Sequence, residues 1–191
     1  PYFSVYPDQI DMAGGKTVFY DTKFENDFDI IPEELEKLIN KKTKAIIINT
    51  PNNPTGAVFS RAILQRIVEL AQRYNVLIVT DEVYEHLTFD DAQHIPLATL
   101  PGAWERTITI SSAGKTFSTT GWKIGWATAP AELISAILTV KQYLTFVNGA
   151  PFQPAIARGL RLPDTFYRDI ASTLQHKRDI LVEGLSDAGL E

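Results

Sequence analysis

Two short apolar runs separated by one amphipathic stretch constrain this chain more than anything else in it. Ala45-Ile46-Ile47-Ile48-Asn49 and Val76-Leu77-Ile78-Val79-Thr80 are rich in β-branched residues and too short for helices. Both read as strands, and the first reads as one covered on both faces. Between them Ser60 stands where a helix N-cap is expected, and Ile63, Leu64, Ile67, Leu70 and Ala71 recur at helical spacing. Strand, helix and strand at this spacing make a βαβ unit, whose strands lie parallel in one sheet. Thr107-Ile108-Thr109-Ile110 and the shorter Trp126-Ala127-Thr128 extend the set of strands. The fold class is therefore α/β, a mostly parallel sheet with flanking helices.

The flanks are less regular. Ile10 to Ala13 reads as a short helix stopped by Gly14 and Gly15, Lys16 to Tyr20 as a strand, and Pro32 to Ile39 as a helix opened by proline. Beyond Pro130 the pattern turns helical, over Ala131 to Leu144, Phe152 to Leu160 and Asp164 to Leu185, with a break at Asn148-Gly149-Ala150-Pro151.

Composition removes several classes of function. With a net charge of −5, nucleic acid and anionic membrane are poor partners, and no apolar run nears the roughly 20 residues of a membrane span. There is no cysteine, which excludes disulfides, thiolate chemistry and Cys-bound zinc. The three histidines, His86, His94 and His176, are scattered, so no metal site and no Ser-His-Asp triad is expected.

Chemistry is expected where an open parallel sheet binds its ligands, at the carboxyl ends of the strands. The first run leads through Thr50-Pro51 into Asn53, the second into Asp81 and Tyr84, the third into Ser112 and Lys115. Lys115 and Lys123 stand in a stretch of Ala, Gly, Phe and Trp, where burial is expected. Burial disfavours the ammonium, and only the free amine attacks a carbonyl. In isolation each residue also has a plain reading: Asp81 as a helix N-cap, Tyr84 as a core aromatic, Asn53 as a turn former, the lysines as solvated loop residues.

Taken together, Asn52-Asn53-Pro54-Thr55-Gly56, Asp81-Glu82-Val83-Tyr84, and Ser112-Ala113-Gly114-Lys115 with Gly121-Trp122-Lys123-Ile124-Gly125 resemble the signatures of class I/II aminotransferases, fold-type I enzymes that use pyridoxal 5′-phosphate. The runs Leu100 to Thr107 and Gly149 to Pro154 resemble the branch that holds kynurenine aminotransferases and N-succinyldiaminopimelate aminotransferases. The resemblance implies an imine-forming Lys115 that also moves the substrate's α-proton. It implies that Asp81 faces the pyridine nitrogen, that Asn53 and Tyr84 hold the ring's phenolic oxygen, and that Ser112 and Lys123 hold the phosphate. Phe3 matches the aromatic that stacks on the ring. Lys123 stands where many such enzymes carry Arg, a point charge in place of a fork.

The resemblance further implies that 1–147 is part of a cofactor-binding large domain, and that 148–191 holds linking helices and the start of a small domain. An upstream phosphate-cupping segment and a downstream carboxylate-clamping Arg have no counterpart in this sequence. The expected partners are a small amino acid and a 2-oxo acid, glutamate and 2-oxoglutarate among them, with an N-succinylated diaminopimelate as the leading substrate and lysine biosynthesis as its setting. A cytoplasmic homodimer is expected. The same residues also suit a cysteine-conjugate carbon–sulfur β-lyase, and an inactive fragment serving only as a folding or dimerisation unit is the alternative from another class.

Overall fold

A computed structural model describes residues 1–190. At its centre is a four-stranded sheet in which β1 (Ala45–Asn49), β2 (Leu77–Asp81), β3 (Thr107–Ser112) and β4 (Gly125–Thr128) lie side by side in chain order. The first two pairings are parallel and the last is antiparallel. β2 and β3 run on to Asp81 and Ser112, so both polar residues belong to the strands themselves.

Helix α3 (Arg61–Arg73) joins β1 to β2. Ser60 opens it as expected, its Oγ accepting from the Ile63 N–H at 3.3 Å. Leu64, Ile67, Val68, Leu70 and Ala71 form its buried stripe and share one core with Ile46, Ile48 and Ile78. The four larger side chains of that stripe contribute roughly 6–12 kcal/mol of burial before chain entropy is counted. Between β2 and β3 the chain makes no long helix. Its turns at Leu97–Thr99 and Trp104–Arg106 place Leu97, Leu100 and Ala103 in the same core. Arg106 then donates to the Ala71 and Val76 carbonyls, tying the start of β3 to the end of α3.

Because side chains alternate along a strand, Ile46, Ile48, Ile78 and Thr80 face α3, while Asn49, Asp81 and Ser112 face away from it. That second face is only partly covered, with Ile47 37% and Ile110 38% exposed. The expectation that β1 is covered on both faces therefore holds for one face among the described residues.

Helix α1 (Tyr6–Met12) reaches the carboxyl end of β2 through Tyr6, α2 (Pro32–Leu38) packs against α3, and α1 starts four residues earlier than its apolar pattern suggested. Lys16 to Tyr20 forms no strand. The run has strand-like alternation, but none of the four strands pairs with it, and Val18 and Phe19 are exposed. It is held by side chains instead: the Tyr20 hydroxyl accepts from the Ile31 N–H at 2.9 Å, the Tyr20 ring packs on the core, and Phe19 stacks on Tyr2. After β3 comes a single helical turn, α4 (Ala113–Thr116), followed by α5 (Ala131–Leu144), α6 (Gln153–Gly159) and α7 (Asp164–Asp187). α6 and α4 share a small second core of Ala113, Ile124 and Ile156 with Phe117 and Trp126. α7 is tied back by Arg178, which pairs with Asp90, and by Gln175, which accepts from the Asp90 N–H.

Candidate functional site

The carboxyl ends of β1, β2 and β3 stand side by side, because Asn49 is in register with Asp81 and Asp81 with Ile110, two residues before Ser112. Each end carries a polar side chain on the open face. The turn after β1 is built by Asn52, whose Oδ1 accepts from the Thr55 N–H and hydroxyl and whose N–H reaches the Ala57 carbonyl. That frees the Asn53 side chain, and its Nδ2 donates to the Tyr84 hydroxyl at 3.3 Å. Tyr84 is thus neither a fully buried core aromatic nor a solvated one, and its own O–H is left free to donate. The plain reading of Asn53 as the turn former belongs to its neighbour.

Asp81 begins no helix. Its Oδ1 accepts from the Val83 N–H at 3.2 Å, and its Oδ2 accepts from the Tyr6 hydroxyl at 2.5 Å. The carboxylate is therefore fixed from both sides, with lone pairs to spare. Burial, followed by the hydrogen bond to Asp81 and that carboxylate's charge, pushes the Tyr6 phenol well above the ordinary range, so it stays a donor at neutral pH. Phe3 meets Tyr6 edge to face, with ring centroids 5.9 Å apart, and is itself 45% exposed.

Ser112 caps α4, its Oγ accepting from the Gly114 N–H at 3.2 Å. Gly114 sits in a tight place, since a Cβ would lie 3.0 Å from Thr120 Cα and 3.2 Å from the Ser112 Oγ. Lys115 projects from this turn with its Nζ 5.4 Å from the centre of the Tyr84 ring. It is exposed rather than packed among apolar neighbours, which corrects the expected burial. The apolar residues around it turn inward, with Ala113 and Phe117 packing toward α6, and a short turn cannot bury both sides. Lys123 is likewise exposed, two residues before Gly125, which pairs with Ser112.

Two residues of the site escaped the sequence reading. Asn49 is 7% exposed. Its Nδ2 donates to the Asp81 carbonyl at 2.9 Å and its Oδ1 accepts from the Asn53 N–H at 2.8 Å, so one side chain ties the end of β2 to the turn after β1. Its signal was present: β1, like β2 and β3, ends in a polar side chain. Tyr6 carried no such signal, because nothing local separates it from the other aromatics of its segment. Behind the site, on the α3 face, Glu82 is 1% exposed and accepts from Thr80 Oγ1, the Leu97 N–H and His94 Nε2.

A family model described as aminotransferase class I and II matches residues 1–191. This chain belongs to that family. The probable N-succinyldiaminopimelate aminotransferase DapC of Mycobacterium tuberculosis is 46% identical over 190 residues, which are 99% of this chain and 48% of that protein. Human kynurenine–oxoglutarate transaminase 3 is 40% identical, covering 100% of this chain and 46% of its own. Among solved structures, N-succinyldiaminopimelate aminotransferase from M. tuberculosis superposes with a TM-score of 0.93 over 99% of this chain and 50% of that one. Aspartate aminotransferase from Thermus thermophilus with maleate gives 0.91 at 35% identity, over 100% and 50%. The chain thus spans about half the length of the relatives it matches. No helix among the described residues is long and apolar enough to cross a membrane.

Proposed function

We propose that the whole protein is a pyridoxal 5′-phosphate-dependent aminotransferase, moving an amino group between an amino acid and a 2-oxo acid. One juxtaposition carries the reading. Asp81, the Asn53–Tyr84 pair and Lys115 meet at adjacent strand ends, with Lys115 over the ring of Tyr84. The donor set suits the cofactor: a carboxylate for a ring nitrogen, an amide and a phenol for a ring oxygen, an accessible amine for an aldehyde, a hydroxyl and a cation for a phosphate. The bound cofactor would supply an electron sink for the carbanion left at the substrate's α-carbon.

The protein's own groups do the rest. Asp81 presents a carboxylate whose direction is set by Val83 and Tyr6, and its negative charge favours a protonated partner. Asn53 donates to the Tyr84 oxygen, which leaves the Tyr84 proton for another acceptor. Lys115 would supply the amine that holds the cofactor's aldehyde and the base for the substrate's α-proton. Ser112 and Lys123 would hold the phosphate, and Phe3 would stack on the ring. The division at 147/148, a homodimer and a cytoplasmic setting belong to the same reading.

For the substrate we favour an N-succinylated diaminopimelate with 2-oxoglutarate as amino acceptor, in lysine biosynthesis. This rests on the 46% identity to the mycobacterial relative against 40% to the human kynurenine transaminase. The test is an absorbance titration of the full-length protein with pyridoxal 5′-phosphate, followed by borohydride reduction and peptide mapping. Label confined to Lys115, and lost in Lys115→Ala, is the expected result. Label spread over several lysines refutes the proposal.

A further inference from the structure

The loop joining α5 to α6, residues 145–152, supplies none of the groups assigned above, yet it touches three consecutive residues of the turn that presents Lys123. Asn148 Nδ2 donates to the Lys123 carbonyl at 2.8 Å across 25 residues of chain. Phe152 stacks on Trp122 with ring centroids 4.6 Å apart and planes 23° from parallel. Gly149 comes so close to Ile124 that a Cβ there would lie 2.0 Å from Ile124 Cδ1 and 3.3 Å from the Trp122 carbonyl oxygen. The loop is itself braced, since Lys141 Nζ lies 3.3 Å from Asn148 Oδ1 and Gln153 Nε2 donates to the Asn148 carbonyl at 2.9 Å.

The turn needs holding. Lys123 has a φ of +54°, a left-handed conformation that a side-chain-bearing residue adopts only when its surroundings impose it. On its other side the Ile124 carbonyl accepts from the Ala113 N–H at 3.0 Å, so the same turn is anchored beside Ser112. The direction in which Lys123 leaves the backbone is therefore set jointly by α4 and by the α5–α6 loop.

We infer that Asn148 is a positioning residue for Lys123, and that the α5–α6 loop is a clamp that aims this cation at the ligand's phosphate. The inference rests on the reading of Lys123 as a phosphate holder. Asn148 is exposed, so Asn148→Ala removes the clamp's hydrogen bond to the Lys123 carbonyl without opening the core. Gly149→Ala is the second variant, since its new methyl forces the loop off Ile124 at an unfavourable φ of +55°.

The experiment uses the full-length protein and compares binding of pyridoxal 5′-phosphate with binding of pyridoxal, which lacks the phosphate. Lys123→Ala is the reference, and a double-mutant cycle closes the design. Asn148→Ala is expected to weaken pyridoxal 5′-phosphate about five- to tenfold, the equivalent of one lost hydrogen bond. It should leave pyridoxal unchanged and have no further effect in the Lys123→Ala background. Gly149→Ala should follow the same selectivity. Equal weakening of both ligands, an undiminished effect in the Lys123→Ala background, or no effect beside a clear loss in Lys123→Ala overturns the clamp alone. If Lys123→Ala itself leaves phosphate-dependent binding intact, the phosphate reading falls, and the clamp with it.

Discussion

Glu82 offers the sharpest test of how the strand ends are held. Its carboxylate is buried and takes three donors: Thr80 Oγ1 at 3.1 Å, the Leu97 N–H at 3.1 Å and His94 Nε2 at 2.8 Å. His94 is also buried, with 7% of its side chain exposed, so solvent screens the pair little. Since an ionised carboxylate only accepts, His94 must carry its proton on Nε2, and its buried Nδ1 has no partner. Glu82→Gln keeps the shape. The amide oxygen then serves Thr80 and Leu97, while the NH₂ faces His94 and forces the imidazole proton onto Nδ1, where nothing accepts it. One buried unsatisfied donor costs about 1–3 kcal/mol.

Glu82→Leu is worse, because it strands three donors at once, and about 3–5 kcal/mol is expected, in the range for breaking a buried pair. Combining it with His94→Leu should cost less than the sum of the two single changes, since removing both partners leaves fewer orphans. Urea-unfolding midpoints give the energies, and hydrogen exchange at the Leu97 amide reports the local bond. A Glu82→Gln variant within about 0.5 kcal/mol of the parent, a difference typical of surface substitutions, would refute the argument. So would an unchanged Leu97 exchange rate in Glu82→Leu.

Three further outcomes are expected. Tyr6→Phe should cost about 1–2 kcal/mol, a charge-assisted hydrogen bond discounted for partial exposure. Because the folded state raises the Tyr6 phenol above its usual value of 10.0, the parent's contribution is complete below pH 10 and is lost as pH rises further. The parent-minus-variant stability difference should therefore shrink in alkali, as pH-dependent denaturation would show. His86 is shifted the other way, held below 6.5 chiefly by burial, so its contribution is complete above pH 6.5 and is lost as pH falls. His86→Phe should flatten that acid limb in a thermal-melt series. Leu64→Ala, at a fully buried position of α3, should cost about 2–5 kcal/mol by calorimetry.

Local pattern carried the centre of the fold. The βαβ unit and the helix over Ala131–Leu144 follow from apolar spacing alone, and the Ser60 cap from one hydroxyl in the right place. The residues that failed were those whose state is decided at a distance. Lys16 to Tyr20 alternates like a strand, but a strand exists only if another pairs with it. Lys115 has apolar neighbours in sequence, yet they pack inward and leave it outside. The strand ends announced Asn53, Asp81 and Ser112 through their polarity. Nothing in a one-dimensional pattern announces Tyr6, because its importance lies in an acceptor 75 positions away.

That separation bears on the order in which the molecule comes together. Asp81 is reached from the amino-terminal side across 75 residues, and Asp90, nine residues on, is reached by Arg178 from the other side across 88. The entropy of closing a loop rises as about (3/2)RT ln n, and contacts of long sequence separation form late. The β1–α3–β2 unit closes over short spans and precedes both. A chain leaving the ribosome thus has a sheet before it has a site. The Asp81 carboxylate takes its final direction only after the first helix has come back across the strand ends, so the Tyr6–Asp81 bond reports that the amino-terminal arm has docked.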